Sequence, residues 1–250
     1  MQYGICPLSI VPIRTNPDGC SEMTSQLQYG EHFKILESRK KWSRIRVAYD
    51  RFEGWVPNNQ ITVVPEQVYE ELDALEHTKI CCDIISHIYA SDGMLLPILL
   101  GSMMNAPELL GHTFEGSVQE GQNVKEGLID TAILYLKAPF LGGGKTPFGI
   151  DCSGFTQMVY KINGYALGRT AEEQSKQGEA LSFIEESEPG DLAFFDNNEG
   201  VIDHVGIILK DNYIIHVNGH VRIDRIDHTG IFNTDEKLYT HQLRVIKKII

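Results

Sequence analysis

One predicted helix, with a marked start and a marked end, constrains the second half of the chain. Asp151 is a favourable amino-terminal cap and Asn163-Gly164 is a typical carboxy-terminal stop, so we predict a helix over residues 152–162. Cys152 is then its first residue, where unpaired backbone N–H groups and the helix dipole favour a thiolate. A free cysteine is more often a buried structural residue. Polar and glycine neighbours make Cys152 a candidate nucleophile instead.

Two histidines follow in a predicted β-hairpin that turns at residues 210–212. If Leu209 pairs with Tyr213, His204 lies near one end of the first strand and His216 is its diagonal neighbour on the same face. That spacing is roughly 7–8 Å or less. A slip of one residue in the register would instead place the two histidines on opposite faces.

Together these residues indicate nucleophilic catalysis. A thiol nucleophile needs an imidazole to take its proton, and that imidazole needs a polar group that orients its ring. We interpret Cys152 as the nucleophile, His204 as the general base and His216 as the orienting group. Asn218, which the same register places opposite His204, is the alternative orienting group.

The remaining pattern of the second half predicts an α+β domain over residues 121–250. A helix over 124–135 precedes the cysteine helix, and a glycine- and proline-rich loop joins them. Predicted strands then follow at 191–195, 204–209, 213–217, 221–226 and 242–249. Helices followed by a run of antiparallel strands are typical of this class.

Residues 1–120 predict a separate, mainly β domain. Short segments with period-two alternation and intervening turns run to about residue 65, which favours a small barrel. A helix over 65–75 and further strands between 79 and 118 complete this predicted domain. The "VPIR", "YGEHFKIL", "WSRIRV" and "GWVPNNQI" segments resemble bacterial SH3-like domains in their order.

Composition excludes several classes of partner. The net charge is -12 and basic residues do not cluster, which argues against a nucleic-acid or anionic-membrane partner. The five cysteines are odd in number, with two of them adjacent, and the amino terminus lacks a basic and apolar leader. We therefore expect a reducing, cytoplasmic location. We expect no cofactor and no metal, because neither a CxxC nor an HExxH spacing is present.

Six ordered motifs over residues 121–250 closely resemble the NlpC/p60 family of cell-wall cysteine peptidases. They are "PFxGG" at 139–143, "FGxDCSGF" at 148–155, "RTAxxQ" at 169–174, "PGDLxFF" at 189–195, "HVGI" at 204–207 and "IH" at 215–216. The resemblance implies a papain-like α+β catalytic domain with a Cys-His-His site, preceded here by the SH3-like β-barrel domain. Two departures concern the cleft: Phe140 and Gly142 stand where the family commonly has Tyr and Trp. That Tyr hydroxyl would contribute to the oxyanion site, so Phe140 lines the cleft wall without it.

The SH3-like domain, the segment "SEMTSQLQYGE" and the missing leader resemble the cytoplasmic branch of this family. That branch hydrolyses the bond from γ-D-Glu to an L-diamino acid in murein peptides during their recycling. The resemblance implies that Glu22 binds the free amine of an N-terminal L-Ala, and that Asp151 and Ser153 help to hold the dipeptide end. The expected partner is a murein tripeptide or longer stem peptide.

Three alternatives stay open at this point. The chain could be an extracellular wall-remodelling endopeptidase, a catalytically decayed module that binds wall peptides, or an acyltransferase on the same fold. The sequence also leaves open the oligomeric state and the third residue of the substrate, lysine or diaminopimelate.

Overall fold

The computed structural model describes residues 1–90, 92–197 and 199–250 of the chain. Two compact units are present: residues 1–122 with 142–146, and residues 123–141 with 147–250. The chain therefore leaves the second unit after Leu141, contributes five residues to the first unit and returns at Pro147. The sequence prediction placed the boundary near residue 120 and gave all of 121–250 to the second domain.

The first unit is built on a seven-stranded, SH3-like antiparallel sheet in the order β3-β2-β6-β5-β4-β1-β7. Its strands are β1 (Gln2–Ile5), β2 (Ile10–Arg14), β3 (Met23–Gln28), β4 (His32–Ser38), β5 (Trp42–Val47), β6 (Glu53–Pro57) and β7 (Thr62–Val64). Alternation along β2 and β5 places Val11, Ile13 and Ile45 in one fully buried cluster, as their period of two requires. The predicted small barrel is confirmed.

Residues after the barrel form one helix and two small sheets. The helix α1 spans Glu66–Asp73, and the strands are β8 (Lys79–Cys81), β9 (Ile85–Tyr89), β10 (Leu95–Leu99), β11 (Thr113–Phe114) and β12 (Val118–Glu120). One sheet has the order β10-β9-β11 and the other pairs β12 with β8. The helix and the further strands predicted for residues 65–118 are therefore present.

A buried ion pair holds the segment 142–146 in the first unit. Lys145 Nζ lies 3.2 Å from Glu31 Oε1, and both side chains are 1% exposed. The backbone N–H of Lys145 donates to Gln26 Oε1, and Gln28 Nε2 donates to the Lys145 carbonyl. Such a pair needs good geometry and extra hydrogen bonds to offset its desolvation. These long-range contacts are why the segment joins the first unit.

The second unit combines two main helices with a second seven-stranded antiparallel sheet. The helices are α2 (Glu126–Leu134), α3 (Cys152–Ile162) and the short α4 (Ala171–Ser175). The short strand β13 (Lys145–Thr146) lies in the segment 142–146 of the first unit. The strands of the second unit are β14 (Gly149–Ile150), β15 (Glu179–Leu181), β16 (Leu192–Asp196), β17 (Ile202–Ile208), β18 (Tyr213–Asn218), β19 (His220–Ile226), β20 (Gly230–Asn233) and β21 (Leu238–Lys248). The sheet order is β15-β21-β16-β17-β18-β19-β20, and β21 also pairs with β20.

The hairpin that carries both histidines has the predicted register. Gly206 pairs with His216 and Ile208 with Ile214, while the Leu209 N–H donates to the Tyr213 carbonyl. The helix α3 also has its predicted bounds, and Gly164 takes the left-handed conformation with φ 84° at its end. The sequence prediction did not include β15, β20 or α4. Among the helices that the structure describes, none is long and apolar enough to cross a membrane.

Candidate active site

Cys152 is the first residue of α3, as the cap signal predicts. The Asp151 side chain accepts the Gly154 N–H at 2.6 Å, which satisfies one of the unpaired donors at the helix start. The Cys152 thiol donates to the Asp203 carbonyl at 3.6 Å, so the sulfur lies against the backbone next to His204. Among the described residues, no acceptor is recorded for the Cys152 N–H, which leaves it available to an oxyanion.

Asp151 and Ser153, predicted to help hold the substrate, are both engaged by Arg169. The guanidinium is 2% exposed and donates to both carboxylate oxygens of Asp151, at 3.0 and 2.6 Å. It also donates to Ser153 Oγ at 3.1 Å. A bidentate pair of this kind fixes the carboxylate in one orientation. In the structure, these two residues hold the first turn of the cysteine helix, and their contact with substrate stays a prediction.

A second buried residue of the "RTAxxQ" motif supports the same turn. Gln174 Nε2 donates to the Ser153 carbonyl at 2.9 Å, and its Oε1 accepts the Thr156 hydroxyl at 2.6 Å. Gln174 is fully buried. Arg169 and Gln174 of this motif therefore fix the helix turn that carries Cys152, a role that the sequence analysis did not predict.

The two histidines form a hydrogen-bonded chain that ends in a carboxylate. His204 Nε2 lies 2.9 Å from His216 Nδ1, and His216 Nε2 lies 3.0 Å from Asp224 Oδ2. An ionised carboxylate only accepts, so His216 donates from Nε2 and its Nδ1 must accept from His204. His204 then carries its proton on Nε2 and presents the lone pair of Nδ1. That is the tautomer a general base requires.

Asp224 is the polar group that accepts a hydrogen bond from His216, and the sequence analysis did not predict this residue. Asn218 was the predicted alternative, but Asp224 on the next strand makes the contact with His216. Arg222, which pairs with His216 across β18 and β19, donates to both oxygens of Asp224 at 2.6 and 2.8 Å. The Asn218-Gly219 turn signal predicts a further hairpin, in which Asn218 pairs with His220 and His216 with Arg222. In that register Asp224 is the diagonal neighbour of His216, so this signal could have identified it.

The charge states of the site follow from burial and from these contacts. Burial lowers the pKa of His204 well below 6.5, and the neighbouring His241 and His216 act in the same direction. Burial also lowers the pKa of His216, although Asp224 opposes this. Burial raises the pKa of the Cys152 thiol to about 12, and the Asp151 carboxylate adds to that shift. Both shifts favour a neutral thiol and a neutral imidazole, rather than the thiolate that the position at the helix start predicted.

A third histidine, His241, packs on the base. Its ring stacks on that of His204 with centroids 4.0 Å apart and 23° between the planes. One nitrogen from each of His204, His216 and His241 lies within 4.8 Å of the other two, which is close enough to consider a metal ion. The His204–His216 hydrogen bond already uses one nitrogen of each of these two rings, and Thr240 Oγ1 lies 2.9 Å from His241 Nδ1. This donor set suits a proton relay better than a metal site.

Two further predicted residues occupy defined places. The Phe140 N–H donates to the Gly219 carbonyl, and Phe140 pairs with Ile150 just before the helix, with its side chain 55% exposed. It offers no hydroxyl to the site. Glu22 lies in the first unit as an exposed residue directly before β3, and its carbonyl accepts the Thr15 N–H. Its predicted contact with the substrate amine stays a prediction.

Comparison with known proteins identifies two domains in the chain. Residues 137–240 match the NlpC/P60 family, and residues 13–61 match the bacterial dipeptidyl-peptidase SH3 domain. A gamma-D-glutamyl-L-lysine dipeptidyl-peptidase of Bacillus cereus is 24% identical over 234 residues, which cover 78% of this chain and 67% of that protein. Dipeptidyl-peptidase 6 of Lysinibacillus sphaericus is 23% identical over 247 residues, covering 84% of this chain and 87% of that protein.

A crystal structure of an NlpC/P60 family protein from Bacillus cereus shares the fold. It superposes with a TM-score of 0.79 at 18% sequence identity and covers 99% of both chains. The matched residues 137–240 include the nucleophile, both histidines and the carboxylate that ends the relay. The chain therefore carries an NlpC/P60 domain over residues 137–240 and a bacterial dipeptidyl-peptidase SH3 domain over residues 13–61, and it is a cysteine peptidase.

Proposed function

We propose that this enzyme hydrolyses the bond between γ-D-Glu and an L-diamino acid in murein peptides with a free amino-terminal L-Ala. The observation that carries the catalytic part is the relay from His204 through His216 to Asp224, with contacts of 2.9 and 3.0 Å beside Cys152. The substrate class is supported by the relatives, whose names specify gamma-D-glutamyl-L-lysine dipeptidyl-peptidase activity.

The geometry supports an acyl-enzyme route. His204 Nδ1 takes the thiol proton as Cys152 Sγ attacks the γ-carbonyl carbon of D-Glu, and the Cys152 N–H binds the developing oxyanion. The resulting imidazolium donates its proton to the departing amine, the C–N bond breaks and a thioester remains. Water, deprotonated by His204, then attacks the thioester and releases the dipeptide and the free thiol.

Phe140 makes the oxyanion site weaker than the family pattern. Loss of one oxyanion donor elsewhere raises a barrier by about 2.7–4 kcal/mol. Because the Phe140 side chain has no hydroxyl to donate, the Cys152 N–H carries more of this stabilisation. We expect the Phe140→Tyr variant to turn over the same substrate faster, without a change in KM.

Selection of a free amino terminus is the part of the proposal that depends on Glu22. An exposed carboxylate that pairs with the L-Ala ammonium would favour short murein peptides over cross-linked wall. Such short peptides are the intermediates of cytoplasmic recycling, which fits the acidic composition and the expected reducing location.

The decisive test is an end-point assay by mass spectrometry with L-Ala-γ-D-Glu-L-Lys and with its N-acetylated form. We expect cleavage of the free tripeptide to L-Ala-γ-D-Glu and lysine, little cleavage of the acetylated one, and none by Cys152→Ala with an unchanged fold. Full activity in Cys152→Ala would contradict the proposed attack by the Cys152 thiol. Equal cleavage of the free and acetylated peptides would instead favour the wall-remodelling endopeptidase.

A decayed binding module is the second candidate, and Phe140 is the observation that favours it. Alkylation by iodoacetamide separates the two, provided that the exposed Cys20 and the partly exposed Cys82 are first replaced by serine. In a competent site, His204 assists removal of the thiol proton, so His204→Ala should slow alkylation of Cys152. The same slow rate with and without His204 would support the decayed module.

A further inference from the structure

A cavity of about 760 Å³ lies in the catalytic unit, with the proposed general base His204 in its wall. His204, His241, Asp203, Asp196, Tyr239 and Thr240 are among its lining residues. Cys152 is not among them. His204 is 7% exposed, and among the described residues no partner is recorded for its Nδ1 atom.

Three interruptions of strand pairing build this cavity. Phe195 pairs with His204 but Asp196 pairs with Ile202, so Asp203 is an extra, unpaired residue in β17. The pairing of β16 with β21 likewise skips Arg244, and that of β20 with β21 skips Thr240. Side chains of successive strand residues normally point to opposite faces. A bulge re-aims one of them, which explains how Asp203 and His204 line the same cavity.

The reaction itself determines which part of the substrate lies against His204. His204 must protonate the departing nitrogen, so the residue that carries this nitrogen has to lie on the His204 side of the scissile bond. The acyl part, joined to Cys152, lies on the other side. The cavity contains His204 and not Cys152, and it is therefore on the leaving-group side.

Acidic side chains dominate the charge of the described residues that line this cavity. Asp196 and Asp203 contribute two carboxylates, and among the described lining residues there is no lysine or arginine. The histidines that face it are His204, His228 and His241, and burial lowers the pKa of His241 to about 4, so His241 is neutral at pH 7. Arg244 lies at the edge, 3.7 Å from Asp196, but is 65% exposed while Asp196 is 14% exposed. No basic group pairs with Asp203 among the described residues.

We propose that this bulged cavity is the leaving-group subsite and that Asp203 and Asp196 bind the distal ammonium of the diamino acid. The proposal rests on the proposed function, because it takes the leaving group to be a diamino acid. A lysine side chain ends in a single positive charge, which two carboxylates favour. The distal centre of diaminopimelate carries an ammonium and a carboxylate, so its net charge is zero. The subsite should therefore select lysine over diaminopimelate.

The test compares three tripeptides, L-Ala-γ-D-Glu followed by L-Lys, L-norleucine or meso-diaminopimelate. Norleucine has the same hydrocarbon chain as lysine and lacks only the ammonium. We expect kcat/KM to be highest for lysine. Asp203→Asn should lower kcat/KM for the lysine peptide about 2- to 5-fold, as for an exposed ion pair. The double variant Asp203→Asn with Asp196→Asn should lower it about 10-fold or more. Both should leave the norleucine peptide within about 2-fold of wild type.

Asp211→Asn is the matched control. Asp211 lies in the turn at the other end of the same hairpin, does not line the cavity, and has a positive φ of 59° that asparagine tolerates. The Asp211→Asn substitution removes one negative charge, as Asp203→Asn does, and should leave kcat/KM for the lysine and norleucine peptides unchanged.

Each other outcome overturns a distinct claim. Equal kcat/KM for the lysine and norleucine peptides in the wild type would show that the cavity does not bind the lysine ammonium. A parallel loss on both peptides in the double variant would show a structural role for the carboxylates. Failure of the wild type to cleave any of the three peptides would reject the proposed function itself, and the subsite with it.

Discussion

Asp224→Asn tests the relay at its buried end. Asp224 is 1% exposed and accepts three hydrogen bonds, two from Arg222 and one from His216. Asparagine keeps the volume but replaces one acceptor oxygen with an NH₂ donor. If the NH₂ faces His216, it donates to Nε2, and the proton of His216 moves to Nδ1. His204 must then accept at Nε2 and carry its proton on Nδ1, where it cannot take the thiol proton.

In either orientation the NH₂ group also faces the Arg222 guanidinium, donor against donor: at Nε in the Oδ2 position and at Nη2 in the Oδ1 position. Two known effects bound the expected fall in kcat. Loss of a hydrogen bond to a charged group costs about 1.5–3 kcal/mol, which corresponds to about 10- to 150-fold in rate. A histidine held in the wrong tautomer has lowered kcat by about 10⁴-fold in a serine peptidase triad. We expect kcat to fall between these bounds, with KM changed less than about 2-fold.

Asp235→Asn is the matched control. Asp235 also pairs with Arg222, at 2.9 Å, but is 77% exposed and makes no recorded contact with His216. Steady-state kinetics on the free tripeptide should show near wild-type kcat for this variant. Thermal unfolding of both variants checks that the fold is retained at the assay temperature. A kcat for Asp224→Asn equal to that of Asp235→Asn would refute the assigned tautomer chain.

Two further predictions concern stability. Lys145→Met should lower the free energy of unfolding by about 3–5 kcal/mol in urea, because the buried Glu31 carboxylate then loses the cation that offsets its charge. The double variant Lys145→Met with Glu31→Gln should recover part of this lost free energy of unfolding. Additive losses from the two single substitutions would contradict an interaction between Lys145 and Glu31. Stability should also fall on acidification. Folding lowers the pKa values of His204 and His241, so the unfolded chain binds protons below about pH 6.5 that the folded protein does not. This contribution is fully present above pH 6.5 and is lost progressively as the pH decreases towards 4. A flat free energy of unfolding between pH 7.5 and 5 would exclude it.

Local signals were enough to predict the helix that begins at Cys152 and the hairpin that carries His204 and His216. The helix α3 starts at an aspartate cap and ends at an Asn-Gly pair, and both act over only a few residues. The turn at residues 210–212 sets the hairpin register, and the register alone brings His204 and His216 together. Caps and tight turns are encoded next to the residues they position, which is why these features could be read without a structure.

Contacts between distant segments were not predictable in this way. Arg169 reaches Asp151 across a sequence separation of 18 residues, and Lys145 reaches Glu31 across 114. The bulge that turns Asp203 beside His204 depends on how β16 pairs with its neighbours, and a one-residue irregularity leaves no trace in a period-two pattern. The sequence by itself determined the cysteine helix, the histidine hairpin and the two-domain class, because each depends on local geometry. Only the tertiary structure decided what supports Cys152, what ends the histidine relay and what lines the cavity beside His204, because each of these depends on contacts between segments that the chain brings together on folding.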